Sequence, residues 1–295
     1  MLRLSMISKI LNIYKSLFFM KIWNIGTIKI NKKKFIELKN LDLIEKNFFK
    51  LKLDNKKYTF FADPFPLTKR FIFAEAMNKI NLGELVLIDC YTHKVVKTFS
   101  SLKGHVSFPF IFREKKNIYL IPEISHWSKQ LIYKYDQKNN SLINQKKISG
   151  LRSIRLKDPV LYKKKNYFLF FNTKASKKID IYFSKKIFGA YKPIKNISNY
   201  QSGHRMGGDI VSINNHQYRI SQNNSNLYGD GIKINKIIEL NSKIYNEKFI
   251  KTLKFNKIYG PHTISFIDNK LFFDYYILKF DILAFFKKVI IKAFS

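Results

Sequence analysis

Three carboxylates stand where a charge is out of place in this 295-residue chain. Asp63 lies in YTFFADPFPL among aromatics and prolines, Asp158 opens DPVLY, and Glu123 ends the apolar run of NIYLIPE. A buried carboxylate is costly unless it is paired or protonated, and one whose apolar neighbours raise its pKa can protonate a leaving oxygen. Two or three such groups around one axis supply what glycosyl transfer needs, an acid and a base or nucleophile. On this reading Asp63 is the base or nucleophile and Glu123 the proton donor, while Asp158 orients substrate or tunes a neighbour's pKa. The structural alternatives are a turn-forming Asp-Pro dipeptide and a Glu123 bridge to Arg205 or Arg219. Glu75, in FIFAEAM, is a reserve candidate of the same kind.

Polar groups that would hold a ligand accompany them. His105 in GHVSFP and His262 in GPHTIS suit hydrogen bonds to sugar hydroxyls. With Asp63 or Asp158 they also have the chemistry of a divalent-metal site, but no short-range ligand spacing supports one, and neither a metal nor a cofactor is assigned. Arg205 and Arg219 offer planar forks for a carboxylate or phosphate. Gln222 and Tyr228 border QNNSNLYGDG, a stretch dense in Asn and Gly that offers amide and phenol contacts. GHRMGGD lacks the lysine and spacing of a phosphate-binding loop.

The elements that would position these residues read as strands. Between about Tyr58 and Phe280, short runs rich in Ile, Val, Phe and Tyr alternate with Asn, Asp, Gly and Lys clusters, the pattern of an all-β fold. The runs repeat as blocks: ADPFPLTKRFIFAEA, SFPFIFREKKNIYLIPE and KDPVLYKKKNYFLFFNT share a leading proline, an apolar strand, a polar turn and an aromatic-rich strand. Pro64, Pro109 and Pro159 are 45 and 50 residues apart, close to the roughly 40–50 residues of a four-stranded propeller blade. GGDIVSINNHQYRISQN and GPHTISFIDNKLFFDYY continue the plan with Gly in front, which makes five. The expectation is a five-bladed β-propeller over residues 23–280, closed by IWNIGTIKI, with Asp63 and Asp158 at equivalent positions. A β-sandwich fits the strands but not the period.

Composition sets the setting. Lys and Arg number 55 against 20 Asp and Glu, a formal charge of +35. The lysines are spread along the whole chain, and no basic stripe has the spacing of a nucleic-acid module, so no specific nucleic acid is expected. The single cysteine, Cys90, excludes an intrachain disulfide framework and suits a buried thiol. Residues 1–22 and 281–295 mix apolar residues with lysines, and no run approaches the ~20 apolar residues of a spanning helix. They read as short basic amphipathic helices that either lie on an anionic membrane surface or pack on the domain. A cytoplasmic location, peripheral to a membrane, follows as the expectation.

In order, WNIG, FADPF, HVSFPFIF, YLIPE, DPVLY, HRMGG, YRISQN, YGDGI and GPHTIS resemble the amino-terminal domain of glucosamine inositolphosphorylceramide transferases, from about Trp23 to Asp274. The resemblance implies a fold similar to the five-bladed propeller of arabinanase- and invertase-type glycosidases. It also implies work on carbohydrate in the assembly of surface polysaccharide or glycolipid, with a sugar or nucleotide-sugar as substrate. The chain departs from the family pattern at HRMGG, RISQ and FFDYY, which bears on loop geometry more than on chemistry. Two functions are therefore carried forward: a glycosyltransferase or glycosidase-like enzyme, and a non-catalytic glycan-binding or scaffold propeller that recruits a partner transferase.

Overall fold

The computed structural model describes residues 14, 17–54, 56–124, 131–151, 156–173, 178–198, 203–225, 227–287 and 289. The elements are β1 (Phe19–Lys29), α1 (Lys32–Glu37), α2 (Asp42–Asn47), β2 (Phe49–Lys50), β3 (Tyr58–Pro66), β4 (Phe71–Asn78), β5 (Gly83–Asp89), β6 (Lys94–Thr98), β7 (Val106–Glu114), β8 (Asn117–Ile124) and β9 (Leu131–Asp136). They continue with β10 (Ser141–Lys147), β11 (Val160–Lys164), β12 (Tyr167–Thr173), β13 (Ile179–Ser184), β14 (Lys192–Pro193), β15 (Asn196–Ser198), β16 (Met206–Ile213), β17 (His216–Gln222), β18 (Ile232–Leu240), β19 (Ile244–Leu253), β20 (Ile264–Ile267) and β21 (Lys270–Phe280). The all-β expectation holds.

Three sheets are four-stranded and follow the chain: β3–β6, β7–β10 and β11–β14. The fourth is nine-stranded, in the order β15-β19-β18-β17-β16-β20-β21-β1-β2, and its halves meet at a single parallel bridge, Gly208 to Ile264. Divided at that bridge, it yields two more units, β16–β19 with β15 on the edge, and β20-β21-β1-β2. Strand β1 pairs with β21 antiparallel over its whole length, from Phe19 opposite Phe280 to Lys29 opposite Lys270. IWNIGTIKI thus takes the closing position, and the ladder starts at Phe19, four residues ahead of the Trp23 boundary read from the sequence.

The leading prolines have a structural reason. The β3–β4 ladder shifts register between Ala62 and Phe65, and the β7–β8 ladder between Ser107 and Phe110. Pro64 and Pro109 sit in those interruptions, where no N–H is needed. The residue before each proline has positive φ: 51° at Asp63, 44° at Phe108 and 49° at Asp158. The equivalent shift in β16 falls at Gly208, whose φ of 142° suits glycine. Strands β3, β7 and β16 are therefore each interrupted in their ladders, and Asp63 and Asp158 share the positive φ that precedes the proline.

Aromatics wedge neighbouring sheets together. Phe65 meets Phe108 edge-on at 4.9 Å, Phe112 meets Phe168 at 6.0 Å, and Phe171 meets Tyr245 at 5.9 Å. Such geometry contributes about 0.5–1.5 kcal/mol per pair beyond area burial. The strand-dominated reading does not anticipate α1 and α2. Asn31 caps α1 by accepting from Lys34 N at 2.8 Å, and Phe35, Ile36 and Ile44 pack against Val211, Ile232 and Leu271. At the far end of the chain Ala284–Lys287 form a helical turn. Of the two basic segments, residues 1–13, 15, 16, 288 and 290–295 lie outside the described residues.

Candidate functional site

The bends deliver acidic groups to a cavity of about 270 Å³ at the end of the sheets where β3 begins and β4 ends. Asp63, Glu75, His105, Glu123, Arg205, Tyr228 and His262 line it, with Trp23, Phe60 and Met77 as apolar wall. Six of the nine residues proposed from sequence therefore share one cavity: Asp63, His105, Glu123, Arg205, Tyr228 and His262. Asp158 lies immediately behind, and two of the nine do not belong there.

One side of the cavity is built on His262, which follows the cis Gly260–Pro261 peptide. Asp274, fully buried on β21, accepts from the backbone N of His262 at 2.9 Å, of Thr263 at 3.0 Å and of Asp63 at 3.1 Å. His262 Nδ1 is 2.7 Å from Asp274 Oδ2 and its Nε2 is 3.5 Å from Asp63 Oδ1. The shorter contact is an ion pair out of line with the ring N–H, since Nδ1 has no aligned hydrogen bond. Asp63 in turn accepts from Thr263 Oγ1 at 2.6 Å and from Phe108 N at 3.0 Å. Burial pushes the Asp63 carboxyl up to about 7, with His262 opposing and Glu75 and Asp274 adding to the rise. Burial alone would lower His262, but the charges of Asp274 and Asp63 outweigh it and carry the imidazole up to about 9.

The other side is built on Arg205. Its Nε and Nη2 bind Asp158 Oδ2 and Oδ1 at 2.5 and 2.8 Å, and Nη2 is 3.8 Å from Glu123 Oε2. That same Glu123 oxygen accepts from Asp158 N at 2.9 Å, which leaves Oε1 without a hydrogen-bond donor among the described residues. Burial raises the Glu123 pKa, the Asp158 charge raises it further, and Arg205 opposes both. Asp158 acts on the cavity through Glu123 and Arg205 rather than by lining it. The Arg205 guanidinium lies 5.4 Å from the centre of the Tyr228 ring, within cation–π range.

Between the two, His105 Nε2 is 3.2 Å from Glu75 Oε1, and its Nδ1 accepts from Gly83 N at 3.0 Å. Burial lowers the His105 pKa but Glu75 more than reverses it; charging the ring would break the Gly83 bond. A side chain at Gly83 would put its Cβ 2.6 Å from Glu75 Oε1 and 2.7 Å from Val106 O, so only glycine lets the carboxylate sit there.

Two expectations are corrected. Arg219, expected as a substrate contact, is fully buried in its sheet, bound to Glu247 at 2.6 and 2.8 Å and to Gly203 O at 3.0 Å. Gln222 is buried too and donates to Met206 O at 3.0 Å, holding the segment after Arg205. In the other direction, Asp274 and Trp23 went unassigned. Trp23 packs on the His262 ring at 4.2 Å. The signal for Asp274 was the same as for Asp63, a lone acid inside the apolar run LFFDYY.

Asp63, His262 and Asp274 each offer one ligand atom within 4.8 Å of the others. The fit to a cation is poor. Asp274 already takes three backbone N–H groups and Asp63 takes two donors, and a charged His262 has no lone pair to give.

The molecule is thus a β-propeller with an acidic, aromatic-walled axial pocket. It belongs to the family described as glucosamine inositolphosphorylceramide transferase 1, N-terminal, which matches residues 51–258. Glucosamine inositolphosphorylceramide transferase 1 of Arabidopsis thaliana is 27% identical over 158 residues, 48% of this chain and 20% of that protein. The chain therefore matches about a fifth of the relative's length. Among solved structures, the RS223 β-xylosidase superposes with a TM-score of 0.51 at 8% identity, covering 76% of this chain and 92% of that one. An α-L-arabinofuranosidase from Clostridium thermocellum gives 0.46 at 11% identity over 72% and 80%. The β-xylosidase likeness shows the fold alone.

Proposed function

We propose that the protein is a carbohydrate-active enzyme that transfers or hydrolyses a glycosyl group in the assembly of cell-surface polysaccharide or glycolipid. The observation that carries this reading is Glu123: a cavity-lining carboxyl with a raised pKa and an oxygen still open to a ligand. Glu123 donates the proton to the leaving oxygen. Asp63, with its pKa near neutrality, is the base. Asp158 tunes Glu123 through its own backbone N–H and through Arg205. Trp23, Phe60 and Tyr228 give the sugar ring an apolar wall. The names of the family and of the similar glycosidases support a sugar-type substrate. The same reading puts the protein on the cytoplasmic side of a membrane, held peripherally by its basic ends.

A second reading has its own support. Both Asp63 oxygens are occupied by Phe108 N and Thr263 Oγ1, the arrangement expected of a pinned carboxylate in a glycan-binding or scaffold propeller.

One experiment separates them. Purified protein is screened against nucleotide-sugars and oligosaccharides by thermal shift, since a ligand of the native state raises apparent stability by mass action, and every hit is assayed for turnover. The enzyme reading expects turnover that Glu123→Gln removes while the shift remains. Binding with no turnover for any hit moves the conclusion to the second reading, and turnover unaffected by Glu123→Gln overturns the assignment of the acid.

A further inference from the structure

Among the described residues eighteen large apolar side chains are exposed, and seven of them fall between Ile277 and Val289. Scattered exposed apolar residues need no explanation, but a concentration in thirteen consecutive positions marks an interaction surface. Phe280, Ile282, Leu283, Phe285, Phe286 and Val289 are between 48% and 70% exposed. They form the end of β21 and the turn after it, which Asp281 N fastens to Phe18 O at 2.8 Å.

This patch stands at the cavity rim. Trp23 lines the cavity and is opposite Tyr276 in the β1–β21 ladder. Lys21, two residues further along β1, reaches Tyr228 O at 2.6 Å and lies over the Tyr276 ring at 4.6 Å. The ladder then continues to Phe19 and Phe280, roughly 13 Å past Trp23 at about 3.3 Å per residue. A two-stranded ribbon tipped with apolar residues therefore projects beside the mouth. Its charge has one sign: Lys279 is exposed and Lys287 neutralises Asp281, the acid of the turn, at 2.5 Å. The whole chain carries +35.

We propose that the β1–β21 ribbon and the turn at 281–287 dock onto an anionic bilayer, with the cavity mouth turned toward the lipid headgroups. An apolar wedge beside the exposed Lys279 on a strongly basic protein matches the two forces that hold a protein at such an interface, burial into the acyl boundary and attraction to acidic lipids. Docking at this place deepens the enzymatic reading and rests on it for one consequence: the glycosyl acceptor is met at the headgroup plane.

The test is co-sedimentation with phosphatidylcholine vesicles, with and without phosphatidylserine, for wild type and for Leu283→Ser/Phe285→Ser/Phe286→Ser. The expected result is binding that requires phosphatidylserine, weakens with salt and falls roughly tenfold or more in the triple variant, as lost burial of three apolar side chains requires. A second measurement uses an environment-sensitive dye on Phe286→Cys and, as control, on Val96→Cys. Cys90 is buried and burial raises its thiol to about 12, so it does not compete for label. Vesicles should shift the dye at 286 and leave the dye at 96 unchanged. Absence of binding, or equal binding by the triple variant, overturns the proposal. So does a dye at 286 already in apolar surroundings without vesicles, because the chain's own amino end or a second copy then covers the patch. Soluble ligands should bind wild type and triple variant alike; their failure to bind either tells against the carbohydrate reading, not against docking.

Discussion

The two walls of the cavity solve one problem with different cations. Asp63 and Asp274 are balanced by His262, a group whose charge depends on pH; Asp158 and Glu123 are balanced by Arg205, whose charge does not. The arginine wall is permanently compensated, so its function is to hold Asp158 still and leave Glu123 able to keep a proton. The histidine wall carries Asp63 up to about 7 and His262 up to about 9, so its state changes across the neutral range. One wall sets geometry, and the other can respond to protons.

The sharpest way to break this contrast is at Glu123. Glu123→Gln should lower turnover by roughly 10²–10⁴-fold, the range of a positioned proton donor, with little change in melting temperature; a matching loss of stability would make Glu123 a structural bridge instead. Arg205→Ala comes next. It strands Asp158 beside Glu123 and should destabilise by about 3–5 kcal/mol in a denaturant titration. Arg205→Lys should recover part of that, because the charge returns without the bidentate fork.

The histidine wall predicts a pH effect of fixed sign. Folding raises Asp63 from 3.8 to about 7 and His262 from 6.5 to about 9, so the native state binds more protons than the unfolded chain and stability falls as pH rises. For His262 the contribution is complete below 6.5 and lost through about 9. Unfolding measured at both ends should show a loss of ~1–3 kcal/mol, and His262→Gln should flatten that slope; an unchanged slope would place the protons elsewhere. The smallest effect belongs to Tyr228→Phe. Tyr228 is 43% exposed, so stability should change by less than about 0.5 kcal/mol, while sugar affinity measured by titration calorimetry falls a few-fold as one hydroxyl contact is lost.

Much of this site is legible in the sequence. The period of Pro64, Pro109 and Pro159 placed Asp63 and Asp158 at one level, and the structure shows why: Pro64 and Pro109 occupy ladder interruptions and Pro159 immediately precedes β11, while the residue before each proline has positive φ. The failures have a common physical origin. Arg219 and Gln222 lie in one strand, YRISQ, and alternation assigns them opposite faces without saying which face meets the axis and which a neighbouring sheet. Arg219 turned to Glu247, a partner 28 residues away that only the sheet brings near. Asp274 carries the same lone-acid signal as Asp63, but without a proline in the block's period only the β1 ladder shows that it faces the same site. Helices α1 and α2 are six residues each, too short for periodicity to reveal.

The closure between β1 and β21 also fixes the order of events during synthesis. Residues 19–29 are synthesised long before their hydrogen-bonding partners at 270–280, so the ring stays open while everything between them is translated. Until then β1 presents an unpaired edge beside the aromatic strands it is destined to join, the condition under which nascent chains pair wrongly. A nascent chain arrested before residue 270 should therefore depend on chaperones far more than one arrested well past residue 280, and emergence of β21 should end that dependence.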